Sequence, residues 1–172
     1  MQRHEVKFAT AVIGALTLAT PVFAADKASS VLQDPKGNEV GQVTLAEVPT
    51  GVLLSLDLAG FPAGDHALHI HAVGKCEGPK FESAGPHFNP KNKEHGLKNP
   101  QGPHAGDMPN IHIPKSGKVK IEVLNQMVSL SGKSALLDDD GSAIVIHEGA
   151  DDYTSDPAGH AGNRLACAVV TK

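Results

Sequence analysis

The chain has 172 residues, 40% hydrophobic and 20% charged, which suits the core of one compact domain and makes two a squeeze. A formal net charge of -4 with no basic run excludes the electrostatic footprint of a nucleic-acid binder. With only 3% aromatic residues, any stretch poor in aliphatic side chains needs a source of order other than burial.

The first 24 residues stand apart from the rest. Arg3 and Lys7 precede an apolar run from Phe8 to Leu18, and the small-residue pattern Val22-Phe23-Ala24 comes before Ala25. This reads as a cleaved secretory signal at 1–24 followed by one exported domain at 25–172. The apolar run falls short of the roughly 20 residues a membrane helix needs, and nothing later in the chain resembles a membrane span. Loss of Arg3, Glu5 and Lys7 leaves 13 basic against 18 acidic residues, a net charge of -5. Cys76 and Cys167 are the two cysteines, and an oxidising compartment allows them to pair.

Strand signals begin at Ser30 to Gln33 and stop at the turn composition Asp34-Pro35-Lys36-Gly37-Asn38. Val43 and Leu45 alternate with polar neighbours, and past Pro49-Thr50-Gly51 the residues Val52, Leu54, Leu56 and Leu58 repeat every second position, the period of a half-buried strand. Phe61-Pro62-Ala63-Gly64 breaks the chain before a strand carrying His69 and His71. From Ala72 to Gly117 no period is sustained, and seven glycines and seven prolines fall in those 46 residues, so something functional has to order the passage. Strands resume at Val119 to Val123, Met127 to Leu130, Ala143 to His147 and, after a loop from Gly149 to Asn163, Leu165 to Val170. The expected fold is all-β: an eight-stranded antiparallel Greek-key β-sandwich or flattened barrel with a long metal-binding loop and a second active-site loop.

Six of the ten histidines lie between His66 and Asp107. Alternation along a strand turns His69 and His71 to one face and Leu68 and Ile70 to the other, so two imidazoles roughly 7 Å apart can reach one ion. The same parity offers His147 as a third if its strand is a neighbour. His66 shares the inward face and reads as a core histidine with hydrogen-bonded nitrogens. His87, His95, His104 and Asp107, at separations of 8, 9 and 3, make a four-coordinate set that suits Zn²⁺.

Several segments together carry a family resemblance. His69-Ile70-His71, Ser83-Ala84-Gly85-Pro86-His87-Phe88-Asn89-Pro90, His95-Gly96, His104-Ala105-Gly106-Asp107, His147-Glu148-Gly149-Ala150-Asp151-Asp152 and Gly162-Asn163-Arg164-Leu165-Ala166-Cys167 resemble, in order, the signatures of copper/zinc superoxide dismutase of the exported bacterial type. The resemblance implies one copper ion on His69, His71, His87 and His147, and one zinc ion on His87, His95, His104 and Asp107, with His87 shared. It implies dismutation of superoxide to dioxygen and hydrogen peroxide by copper cycling, with His87 taking up and returning a proton. Asp151 matches a carboxylate that links a copper histidine to a zinc histidine, His69 to His95. Cys76 and Cys167 match an intrachain disulfide, and Arg164 matches the residue that guides the anionic substrate. Where animal members place a steering lysine, Gly149 stands here, which leaves Lys75 and Lys80 as substitutes. The export signal implies a periplasmic location, the acidic charge and the lack of a membrane span imply no nucleic-acid or membrane partner, and the likeness leaves either a monomer or a homodimer. His112 and His160 match no ligand and read as solvated. A non-enzymatic carrier of the same metals would need neither Arg164 nor the shared His87, and a copper-only dismutase would lack His95, His104 and Asp107.

Overall fold

The computed structural model describes residues 27–132 and 134–171; the expected signal at 1–24 lies outside the described residues. Nine strands are found among the described residues: β1 Lys27–Gln33, β2 Glu39–Val48, β3 Gly51–Ala59, β4 Gly64–His66, β5 Leu68–His71, β6 Ile111–Ile113, β7 Lys118–Asn125, β8 Ser142–His147 and β9 Arg164–Val170. Seven form one curled antiparallel sheet in the order β5-β8-β9-β1-β2-β3-β7, and β4 pairs with β6 in a small second sheet. The all-β half-barrel agrees with the expectation.

Local chemistry explains the first hairpins. Asp34 Oδ1 accepts the backbone N–H groups of Lys36 at 2.8 Å and Asn38 at 2.9 Å, a side-chain turn that reverses the chain between β1 and β2. Along β3, Val52, Leu54, Leu56 and Leu58 are buried, and they meet Val43 and Leu45 of β2 in the core. β8 differs, because all six of its residues are buried. One face, Ile144 and Ile146, joins the main core with Leu68 and Ile70, while Ala143 and Val145 pack with Phe81, Ala84 and Cys167 in a smaller cluster.

Two expectations need correction. Met127 to Leu130 is not a strand: Asn125 Oδ1 takes the Met127 N–H at 2.8 Å and turns the chain out of the sheet, leaving an isolated bridge from Ser129 to Ala135. Its alternation still has a cause, since Val128 and Leu130 are buried. The passage from Ala72 to Gly117 also contains β6 and a 3-10 turn at Glu82–Ala84, pieces of three residues that carry too little pattern to read.

The passage is ordered by lying along the free edge of β5. Ile70 N–H donates to Gly106 O at 2.9 Å, Phe88 N–H to Ile70 O at 2.8 Å, and Gly106 N–H to Phe88 O at 2.8 Å. A Cβ on Gly106 would sit 2.2 Å from Ile70 O, so only glycine permits this approach. The docking sets His87 opposite His71 and Asp107 opposite His69.

Cys76 and Cys167 form a disulfide with Cα atoms 5.7 Å apart, tying this loop to β9. Their separation of 91 residues corresponds to about 4–5 kcal/mol of loop-closure stabilisation as an upper figure. Replacing both by serine is expected to remove up to about that amount in denaturant unfolding of the metal-free chain; an unchanged midpoint would show that the bond contributes nothing to stability.

Candidate metal centre

β5 pairs with β8, placing Leu68 opposite Ile146 and His69 opposite Val145. His69, His71 and His147 therefore share the face away from the core, and the loop brings His87 in beside them. One ligand atom from each of these four lies within 4.8 Å of the others. All four residues are buried.

The four rings divide their nitrogens in the same way. Far from the centre, His69 Nε2 donates to Asp151 Oδ2 at 2.8 Å, His71 Nδ1 to Gly85 O at 2.8 Å, His87 Nδ1 faces Asp107 Oδ1 at 2.8 Å, and His147 Nδ1 reaches Gly162 O at 3.4 Å. Toward the centre, His69 Nδ1 and the Nε2 atoms of His71, His87 and His147 are buried with no hydrogen-bond partner. Leaving such a group unpaired costs about 1–3 kcal/mol each, and four convergent lone pairs fit a cation that favours imidazole.

Burial, ahead of the neighbouring histidines, pushes His71 down to about 2 and His147 down to about 3. Burial also lowers His87 to about 4, although Asp107 opposes it. All three are neutral near neutral pH, the form in which imidazole binds a metal.

A second set adjoins the first through His87. Asp107 Oδ1 lies 2.8 Å from His87 Nδ1, 3.0 Å from His95 Nδ1 and 3.3 Å from His104 Nδ1. Asp107 Oδ2 is occupied by the backbone N–H groups of Gly96 at 2.9 Å and His104 at 3.0 Å, which fixes the carboxylate plane. Three nitrogens and one carboxylate oxygen facing a common point fit a tetrahedral zinc ion. Asp151 joins the sets, with Oδ2 on His69 and Oδ1 3.0 Å from His95 Nε2. Burial disfavours charge on both carboxylates, yet hydrogen bonds from His87 and His95 hold Asp107, and from His69 and His95 hold Asp151, well below the usual range. For His95 burial is the largest single influence and acts downward, but Asp107 and Asp151 together raise it to about 9.

The centre opens on a cavity of about 820 Å³ lined by His71, His87, His147, Arg164 and Lys93. Arg164 is half-buried and anchored, its Nη1 donating to Phe81 O at 2.6 Å and its Nη2 to Gly85 O at 2.9 Å. Neither Lys75 nor Lys80 lines this cavity; Lys80 instead pairs with Glu82 at 3.8 Å. Lys93, which sequence reading passed over, is the lysine that does. His66 is buried as expected, with Nδ1 2.8 Å from His147 O and Nε2 3.1 Å from Pro62 O. His112 and His160 are exposed and pair with Asp65 at 2.8 Å and Asp152 at 3.1 Å.

A curled antiparallel sheet bearing two adjoining cation sites that share one histidine defines an all-β binuclear metalloprotein. Residues 39–170 match the family model for copper/zinc superoxide dismutase. Superoxide dismutase [Cu-Zn] 2 of Aquifex aeolicus is 46% identical over 168 residues, spanning 95% of this chain and 98% of that one. Among solved structures, a double mutant of a superoxide dismutase-like protein from Bacillus subtilis superposes with a TM-score of 0.82 at 40% identity, covering 84% of this chain and 97% of that one. The Brucella abortus Cu/Zn superoxide dismutase gives 0.71 at 28% identity, covering 84% and 99%. The chain belongs to the copper/zinc superoxide dismutase family. It is therefore an oxidoreductase of superoxide with copper and zinc as cofactors.

A cation entering the second set must displace the proton held on His95. Zinc affinity of the metal-free protein is thus expected to rise by up to about tenfold per pH unit below pH 9 and to level off above it. Chelator-competition titrations across that range measure the slope, and a flat profile would mean that His95 is already neutral.

Proposed function

We propose that His69, His71, His87 and His147 hold the copper, that His87, His95, His104 and Asp107 hold the zinc, and that Arg164 guides superoxide to the copper side. The observation that carries the copper assignment is the set of four buried, convergent, unpartnered nitrogens. Bound copper supplies the one-electron cycling by which two superoxide anions and two protons become dioxygen and hydrogen peroxide.

The chain's own residues do the rest. His87 faces both sets, so its Nε2 is the atom at which a proton can be held beside the cavity and passed on, while Asp107 and the zinc side fix its ring through Nδ1. Asp151 places the proton of His69 on Nε2, which keeps the Nδ1 lone pair toward copper. Arg164 spends two N–H groups on the carbonyls of Phe81 and Gly85, so its guanidinium is oriented before substrate arrives and its remaining donors are free for an anion. Lys93 adds a second cation to a cavity lining that also carries Glu94, Asp138 and Asp156, in a protein whose net negative charge repels superoxide at long range.

We place the mature chain in the periplasm, on the strength of the export pattern at 1–24 and of its bacterial relatives. No helix among the described residues is long and apolar enough to cross a membrane.

Metal analysis with a superoxide dismutation assay on the mature chain tests the enzyme reading. Full copper and zinc occupancy without dismutation would make the protein a carrier. Arg164→Ala is expected to lower kcat/KM roughly ten- to a hundredfold, the worth of a charged hydrogen bond, with both metals retained. Lys93→Gln should lower it by about two- to threefold at low ionic strength and by nothing measurable at high salt, the behaviour of one screened charge. A salt-independent effect would remove Lys93 from substrate guidance.

A further inference from the structure

Asp151 controls both metal sets, yet it lies in the irregular loop between β8 and β9, where no strand holds its backbone. Its carboxylate is spoken for on every side: His69 and His95 donate to it, and the Tyr153 N–H reaches Oδ1 at 2.6 Å. Gly159 is packed against it so closely that an added Cβ would fall 1.9 Å from Oδ1. A carboxylate so enclosed can serve two rings only if its own main chain is registered to a fraction of an ångström.

That registration comes from the other loop. Asn110 Oδ1 accepts the Asp151 N–H at 2.8 Å, and Asn110 Nδ2 donates to Asp151 O at 2.9 Å, so one side-chain amide satisfies both backbone groups as a neighbouring strand would. Asn110 follows Asp107 by three residues, and its own N–H donates to Tyr153 Oη at 2.7 Å. The segment that ends the zinc set is thereby clamped to the residue that fixes the tautomer of His69.

The geometry points to Asn110 as the positioning residue of the binuclear centre: its amide seats Asp151, and through Asp151 it sets the ring orientation of His95 on the zinc side and His69 on the copper side. This rests on the ligand assignment made above. The amide is needed as such, because it must donate and accept at once. A carboxylate of the same shape keeps the acceptor but turns an oxygen against the Asp151 carbonyl.

The test compares Asn110→Asp, which is isosteric, with Asn110→Ala and with Tyr153→Phe, which removes a bond between the same two loops without touching Asp151. Zinc affinity is read by chelator competition, and the Cu(II) visible and paramagnetic resonance spectra are read on fully loaded protein. Both Asn110 variants are expected to lose roughly ten- to a hundredfold in zinc affinity and to shift the Cu(II) spectrum, while Tyr153→Phe keeps the parent spectrum. Should the alanine variant fail to fold, the isosteric variant alone decides. Parent-like zinc affinity and an unshifted copper spectrum in Asn110→Asp would overturn the proposal, whatever the melting temperature does. Equal changes in Tyr153→Phe would overturn it too, since general loosening of the loops would then account for them. A parent chain that binds neither metal would instead overturn the ligand assignment.

Discussion

The structure depends on how the long loop docks along β5. The backbone of Ile70 bonds to Gly106 on one side and to Phe88 on the other, and this short ladder occupies an edge that would otherwise face water unpaired. It brings His87 and Asp107 against the two histidines of the strand. Without it the ligands would belong to separate parts of the chain. The absence of a side chain at Gly106 is what lets the ladder close.

Once the residues are gathered, burial and charge sort them by role. His71, His87 and His147 are held neutral by desolvation first and by neighbouring histidines second, so their lone pairs are ready for a metal. In the second set Asp107 and Asp151 raise His95 to about 9 against the effect of burial, so these two carboxylates favour positive charge there. Among the described residues, the fully buried side-chain nitrogens and oxygens without a hydrogen-bond partner are the four nitrogens that converge. The meander of β1, β2, β3 and β7 buries its aliphatic stripe in one core shared with Leu68 and Ile70 of β5, Ile144 and Ile146 of β8, and Phe88, Ala105 and Met108 of the docked loop.

Much of this was readable in the sequence where a rule depends on near neighbours. Period two located β3 and turned His69 and His71 to a common face, and the turn at Asp34 announced itself by composition. Where the answer depends on which distant segments meet, pattern alone fell short. The alternation at Met127 to Leu130 correctly marked burial of Val128 and Leu130 but wrongly implied pairing, because one asparagine side chain diverts the backbone. Lys75 and Lys80 lie in the same loop as Lys93 but are not in the cavity lining, and loop order cannot tell which side of a folded loop a lysine takes. Asp151 was found only through family likeness, and Asn110 not at all, since its partner is 41 residues away with no spacing to announce it.

β9 is joined to the long loop twice, three residues apart. Cys167 holds it through sulfur to Cys76, and Arg164 holds it through hydrogen bonds to Phe81 and Gly85. The two fastenings have opposite chemical vulnerabilities: a reductant cuts the first and spares the second, whereas a denaturant weakens the second and spares the first. Neither a reductant nor a denaturant alone removes both fastenings, so one tie between the loop and the strand remains beside the guanidinium under either stress.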